Sequence, residues 1–251
     1  GGTMRPGEII AAITYVSMIL HGVVFMAGIF QTFTRAKASV DRINEVLACR
    51  TSAEGGGFSG QTERRGEIEF RGVSFAYPGS GDGSEVLKDI NLKIKSGETF
   101  AILGATGSGK STLVNLIPRF YDATEGNILI DGINVKDYDT TVLRDKIAIV
   151  LQKAELYSRP IEANIRWGKD SATPQEIKDA ATVAQADDFI CATANGYYTP
   201  VSEGGHSLSG GQKQRISISR AILRDSEIMI FDDSTSALDL GTEARLYEAL
   251  G

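Results

Sequence analysis

Residues 99–112 of the chain, TFAILGATGSGKST, decide how the rest of the sequence is interpreted. Residues 104–111 match the spacing G-x-x-x-x-G-K-[ST], which is typical of a phosphate-binding loop between a strand and a helix. Glycine lets the backbone amides curl around a phosphate, and the helix that follows directs its positive end at the same group. The stretch therefore predicts a buried strand over 99–103, then the loop, then a helix over 111–121.

The loop predicts ATP and Mg²⁺ as cofactors. We expect the Lys110 ammonium to bridge the β- and γ-phosphates and the Ser111 hydroxyl to bind the Mg²⁺ ion. The other loop residues that we expect around the nucleotide are Gly104, Ala105, Thr106, Gly107, Ser108, Gly109 and Thr112. Such a site can drive chemistry, power transport or act as a switch, so the function depends on the rest of the chain.

A second magnesium ligand is predicted after another apolar run. Residues 228–233, IMIFDD, read as a buried strand followed by two acids. A lone aspartate after a strand is usually a turn residue, but beside a phosphate-binding loop Asp232 is expected to hold the Mg²⁺ shell through water. Strand and helix patterns alternate from about residue 67 onward, with a mainly helical stretch from about 160 to 224. The fold class indicated is α/β with a helical insertion.

An uncharged apolar segment precedes this domain. Residues 9–34 contain no Asp, Glu, Lys or Arg, and as a helix they would reach roughly 39 Å, more than the roughly 30 Å of a bilayer core. Acidic Glu8 lies before the segment, and four basic residues follow it, which indicates a cytoplasmic exit: Arg35, Lys37, Arg42 and Arg50. A buried helix of a soluble protein is the alternative. We predict one transmembrane helix in contact with membrane lipid, continued by a helical stalk, in the plasma (inner) membrane.

Composition and segment boundaries restrict the possible partners. The net charge is −6 and the pI is about 5.1, so no basic field indicates a nucleic acid partner. The two cysteines, Cys49 and Cys191, are far apart and belong to no metal-ligand pattern, which indicates plain thiols. We predict a membrane helix and stalk over 1–50, a linker over 51–66 and a nucleotide-binding domain over 67–251. Within that domain we expect a helical subdomain at about 153–218.

Two further stretches carry a family resemblance. Residues 208–223, LSGGQKQRISISRAIL, followed by residues 228–239, IMIFDDSTSALD, resemble the ATP-binding cassette (ABC) proteins, and the similarity extends over 67–251. The resemblance implies a P-loop NTPase fold with a RecA-like core, an antiparallel β subdomain and a helical subdomain. It implies that Tyr77 stacks on adenine and that Gln152 joins Ser111 and Asp232 around Mg²⁺. It also assigns nucleotide contacts to four signature residues: Ser209, Gly210, Gly211 and Gln212.

The resemblance is to ABC exporters, because a membrane helix precedes the cassette on the same chain. Residues 201–212, VSEGGHSLSGGQ, are similar to the exporters' X-loop with its Glu203, and the family's D-loop would end at Asp239. In this family the signature closes on the γ-phosphate held by a second subunit. The resemblance therefore implies a second half-transporter as partner, with ATP binding driving closure and hydrolysis driving release. The transported substrate is not indicated.

Asp233 departs from the family pattern, which has a glutamate general base at this position. One methylene less withdraws the carboxylate by roughly 1.5 Å, and a misplacement of that order can cost about a hundredfold in rate. We expect Asp233, Gln152 and Lys110 to carry catalysis, in a weak site of a heterodimer. A slow but working base and a homodimer are the alternatives.

Two other functions stay open at the level of the sequence. One is an ATP-binding module that hardly hydrolyses and acts as a switch; the other is a soluble ABC ATPase of the DNA-repair or translation kind. The uncharged segment argues against the second of these. The family's switch histidine is expected beyond Gly251, since neither His21 nor His206 suits that role by position.

Overall fold

A computed structural model of the chain describes residues 5–48, 55–60, 62, 65–79, 81, 84–202, 205 and 207–251. The described residues fall into two compact units, one formed by residues 5–48 and the other by the residues from 55 onward. Glu203, His206, Cys49 and Arg50, together with residues 51–54, 61, 63 and 64 of the predicted linker, lie outside the described residues. The predicted segment boundaries stay predictions.

The first unit is one helix, α1 (Pro6–Ala48), of 43 residues and roughly 65 Å. It contains the whole uncharged segment, and its most apolar window has a mean hydropathy of 2.1. By length and composition it is long and apolar enough to cross a membrane. Hydroxyls along it donate to carbonyls one turn earlier, as Thr14 does to Ile10 at 2.9 Å, so these polar groups are satisfied within the helix.

The second unit opens with an antiparallel sheet that confirms the strand patterns read from the sequence. Its strands are β1 (Ile68–Phe75), β2 (Leu87–Ile94), β3 (Glu125–Ile130) and β4 (Ile133–Asn134), in the order β2-β1-β3-β4. Ile68, Phe70 and residues 73–75 of β1 are buried, and Phe70 lies opposite Leu92 on one side and Ile128 on the other. The β3–β4 hairpin turns at Asp131 and Gly132, both with positive φ, as a two-residue turn requires.

The second unit also contains a pair of parallel strands, β5 (Ile147–Val150) and β6 (Ile228–Phe231). Strand β5 pairs in parallel with β6, so the carboxyl ends of both strands lie at one edge. The helix after the glycine loop, α2 (Lys110–Leu116), is shorter than predicted. It ends before Pro118, because proline has no backbone N–H to continue the hydrogen bonds of the helix. Helix α3 (Thr140–Asp145) precedes β5.

The predicted buried strand over 99–103 is wrong. No strand forms there, and Phe100 and Leu103 are 44% and 93% exposed. Among the described residues, β5 and β6 pair with each other and neither pairs with residues 99–103. An apolar run becomes a strand only where a neighbouring strand pairs with its backbone N–H and C=O groups, and the sequence of the run does not contain that information.

The helical insertion has its own core. It comprises α4 (Ile161–Arg166), α5 (Pro174–Val183), α6 (Asp187–Cys191), a 3₁₀ turn at Gly196–Tyr198 and α7 (Gly210–Leu223). Buried isoleucines fill its interior: Ile161, Ile165, Ile177, Ile190 and Ile216. Helix α7 also packs on β5 through Ile218 and Ala221, so it belongs to both cores. The last helix is α8 (Leu240–Leu250).

Candidate nucleotide-binding site

The glycine loop adopts a conformation that its sequence requires. Gly107 and Gly109 have φ of +82° and +90°, a region that side-chain-bearing residues rarely adopt. A Cβ on Gly109 would also lie 2.9 Å from a methyl carbon of Leu87. The Lys110 ammonium donates to the carbonyl oxygens of Gly104 and Ala105, at 2.8 and 2.9 Å. Its charge therefore lies within the curve of the loop, where a phosphate is predicted.

The two predicted magnesium ligands from distant parts of the chain are in contact. The Ser111 hydroxyl in the first turn of α2 donates to Oδ1 of Asp232 at 2.9 Å, although the residues are 121 positions apart. Asp232 directly follows β6, whose carboxyl end lies beside the loop. Hydroxyl and carboxylate oxygens are the hard ligands that Mg²⁺ prefers, so this pair fits a magnesium ion bound together with phosphate.

The third predicted magnesium ligand, Gln152, contacts the candidate base, and its role at Mg²⁺ stays a prediction. The side-chain amide of Gln152 donates to Oδ2 of Asp233 at 2.8 Å. Each residue lies two positions beyond its strand, β5 or β6, and parallel strands bring such positions together at one edge. Asp233 has φ +48°, in the left-handed region that Asp and Asn tolerate better than most residues.

Tyr77 lies beside the start of α2. Its hydroxyl and that of Thr112 are 3.0 Å apart, so the predicted adenine platform and the last predicted loop residue are joined. Two aromatic rings meet Tyr77 edge to face: Phe75 at 4.9 Å and Tyr121 at 5.2 Å between centroids. The sequence analysis missed these two supports, although FAY and FY in the sequence were visible signals. Stacking on adenine stays a prediction.

The signature residues form the start of α7. Ser209 caps the helix. Its hydroxyl accepts from the backbone N–H of Gln212 at 3.3 Å, and the side-chain oxygen of Gln212 accepts from the backbone N–H of Ser209 at 2.9 Å. A Cβ on Gly211 would lie 2.9 Å from the carbonyl oxygen of Ala237. The signature therefore packs closely against residues 236–239, the SALD segment. Within the described part of the chain, no hydrogen bond joins residues 209–212 to the glycine loop.

Asp239, the last residue of the SALD segment, caps the start of helix α8. Asp239 accepts from the amide and the hydroxyl of Thr242, at 3.0 and 2.7 Å, at the first turn of α8. The Thr242 hydroxyl and amide bonds hold the pKa of the Asp239 carboxyl below its usual value.

The sequence analysis also missed Gln214, a buried polar residue in α7 whose side chain donates to the carbonyl oxygen of Leu151 at 3.0 Å.

Comparison with known proteins agrees with this geometry. Residues 87–236 match the family model described as ABC transporter. The chain is 47% identical over 250 residues to the uncharacterized ABC transporter ATP-binding protein YfiB of Bacillus subtilis strain 168, covering 99% of this chain and 43% of YfiB. It is 42% identical over 250 residues to YgaD of the same strain, whose name provisionally assigns it to multidrug export as an ATP-binding/permease protein. The coverage is again 99% of this chain and 43% of the relative.

A solved structure shares the fold. A bacterial Atm1-family ABC exporter with ATP bound superposes with a TM-score of 0.82 at 30% identity, covering 99% of this chain and 44% of the exporter chain. The chain thus spans less than half the length of the proteins it matches. The predicted cassette fold and the resemblance to ABC exporters are confirmed, and this chain belongs to the ABC transporter family.

Proposed function

We propose that this chain is the ATP-binding and ATP-hydrolysing part of an ABC exporter, coupling nucleotide-driven closure to export across the membrane. The observation that carries the proposal is the meeting of four predicted site residues at the carboxyl edge of β5 and β6. Ser111 contacts Asp232, and Gln152 contacts Asp233. Residues from three separate stretches of sequence thereby surround the loop that presents Lys110.

Binding of ATP follows from the loop. The Lys110 ammonium now bonds two loop carbonyls, and phosphate oxygens would take their place as acceptors with full negative charge. Tyr77, held by Thr112 and two aromatic rings, offers a flat face for adenine. A Mg²⁺ ion bound by Ser111 and Asp232 would neutralise charge on the phosphates.

Hydrolysis requires a base for the attacking water, and here the chain is weak. Asp233 is the acid nearest to this role, and one of its oxygens already accepts the Gln152 amide. The shorter side chain holds its carboxylate back from the position that a glutamate would reach. We therefore favour slow turnover at this site and a heterodimer whose other half carries a glutamate; a homodimer with two slow sites is the alternative.

The signature acts on the partner in this proposal. Ser209, Gly210 and Gly211 begin a fourteen-residue helix whose positive end suits an anion. Their separation from the chain's own loop agrees with a role at the γ-phosphate of a second half-transporter. The α1 helix would lie in the inner membrane with the cassette on the cytoplasmic side. A non-hydrolysing ATP switch is the second candidate, favoured by Asp233.

MgATP titration of the purified full-length transporter tests the binding site. Lys110→Ala should weaken MgATP affinity at least about tenfold, because it removes a charge-assisted contact to phosphate. The matched control is Lys88→Ala, whose side chain is 83% exposed and lies 3.9 Å from Glu85 on the surface. Tyr77→Ala should also weaken binding. Unchanged affinity in both the Lys110 and the Tyr77 variant would contradict the proposed site.

A further inference from the structure

Gln214 is a buried polar residue to which the proposed mechanism gives no role. It is 3% exposed and lies in α7, four residues after Gly210. Its side-chain amide donates to the carbonyl oxygen of Leu151 at 3.0 Å, just beyond the end of β5. Among the described residues, this is the only hydrogen bond from α7 to residues 147–152. The bond satisfies the buried side-chain amide of Gln214, whereas Leu151 is 47% exposed.

The accepting residue lies directly before Gln152. The backbone after β5 is held at two successive carbonyls: that of Val150 accepts from the Asp232 amide at 3.0 Å, and that of Leu151 accepts from Gln214. The next residue, Gln152, donates to Asp233. Gln214 therefore fixes the backbone from which the glutamine of the active site extends.

The start of the same helix carries the signature. Ser209 caps α7 through its reciprocal bonds with Gln212. Gln214 lies roughly 7 Å along the helix from Ser209, little more than one turn. A hydrogen-bonded turn of helix moves as a unit, so a displacement at Ser209 is passed directly to the Leu151 carbonyl.

We infer that Gln214 is a positioning residue that couples the signature to Gln152 and Asp233 of the chain's own site. The inference rests on the proposed function, in which the signature completes the partner's site. When Ser209 engages the partner's nucleotide, α7 shifts, Gln214 carries Leu151 with it, and the Gln152 amide is realigned. Gln214 itself contacts no nucleotide; its side-chain bond to Leu151 transmits a shift of α7 at one site of the dimer to Gln152 at the other.

The test uses the full-length transporter with a partner whose general-base glutamate is replaced by glutamine, so that the measured turnover comes from this chain's own site. Gln214→Met keeps the length of the side chain and removes the donor. We expect the MgATP Kd to stay within about twofold, while kcat falls about tenfold at unchanged KM, as loss of one net hydrogen bond predicts. The matched control is Ser219→Ala: Ser219 is also fully buried in α7, but its hydroxyl donates to Arg215 within the helix. Its kcat should stay within about twofold, and an equal loss in both variants would contradict the inference.

A double variant separates coupling from a general loss of stability. If Gln214 acts through Gln152, the double variant Gln152→Ala with Gln214→Met should turn over no more slowly than Gln152→Ala alone. Multiplied losses would mean independent effects and would overturn the inference. If Gln214→Met fails to assemble, Gln214→Leu replaces it in the same comparisons. Ser209→Ala, measured with the unaltered partner, identifies which idea fails: normal turnover there contradicts the proposed function, whereas impaired turnover with a normal Gln214 variant contradicts only the coupling.

Discussion

Asp233 is the residue on which the rate of this site depends, and its backbone adds a constraint that its chemistry alone does not show. Its φ of +48° places it in the left-handed region, where a longer side chain is less well tolerated than Asp. Its carboxylate is also the acceptor of the Gln152 amide. Restoring a glutamate therefore improves reach and adds strain at the same time.

Asp233→Glu should accordingly raise steady-state ATPase activity of the full transporter while lowering its stability. The gain comes from a carboxylate roughly 1.5 Å further out, and the loss is about 1 kcal/mol for a residue less suited to positive φ. Activity assays and thermal unfolding of the same preparation measure both effects. The proposed weakness of the site is contradicted if activity does not rise in a variant that is folded and binds MgATP normally.

At the same scale, the sequence located residues better than it located their bonds. The loop pattern and the acids after IMIF indicated Ser111 and Asp232, which are in contact. For Gln152 the sequence predicted a role at Mg²⁺, which stays a prediction, but it did not indicate the hydrogen bond that Gln152 donates to Asp233. Such partners depend on the parallel alignment of β5 with β6, a long-range pairing between residues 81 positions apart. A single sequence does not contain that alignment.

At the scale of elements, α5 and α7 allow the structural effect of a helix cap to be separated from a functional one. Helices α5 and α7 both start with a capping box, Thr173 with Glu176 and Ser209 with Gln212. Ser209→Ala and Thr173→Ala should each destabilise the chain by about 1 kcal/mol, because each removes a helix cap. Thermal unfolding measures this shared loss.

Only the α7 variant should impair ATPase activity of the assembled transporter, because only that cap belongs to the signature. MgATP binding to this chain should be unaffected in both variants. Equal ATPase losses in the two would show that stability alone explains the effect. Loss of ATP binding to this chain in Ser209→Ala, with normal hydrolysis by the partner, would contradict the assignment of the signature to the partner's site.

The outcome for the apolar runs predicted as strands depended on a distant neighbour: residues 228–231 form β6 because β5 pairs with them. The Asp131–Gly132 turn, by contrast, specifies its own hairpin, because both residues accept positive φ. In β1 burial alternates only over 68–71, and Val73, Ser74 and Phe75 are all buried beyond an irregularity in the pairing. Residues 99–103 are as apolar as those strands, yet no strand pairs with them among the described residues. Hydrophobicity is a local property, whereas strand pairing is not.

At the scale of the whole molecule, α1 buries none of its residues within the chain. An apolar surface of this length requires lipid or other helices to cover it. Its span was predictable because hydropathy accumulates residue by residue along one helix. The chain spans under half the length of the relatives it matches, and in the proposed exporter we expect lipid and further membrane helices to cover α1.

The two ATP sites of the assembly should be unequal if Asp233 is a weak base. Asp233→Asn should lower steady-state ATPase activity by less than about twofold, because most turnover comes from the partner's site. Replacing the partner's corresponding glutamate by glutamine should lower it at least about a hundredfold, the usual contribution of a general base.

Each change is made singly in the full complex, and both proteins are checked for MgATP binding. A large loss in Asp233→Asn, comparable to that of the partner variant, would mean that Asp233 is a working base. In a homodimer, Asp233→Asn alters both sites at once, so a near-complete loss from that single change would favour two equal sites over a heterodimer.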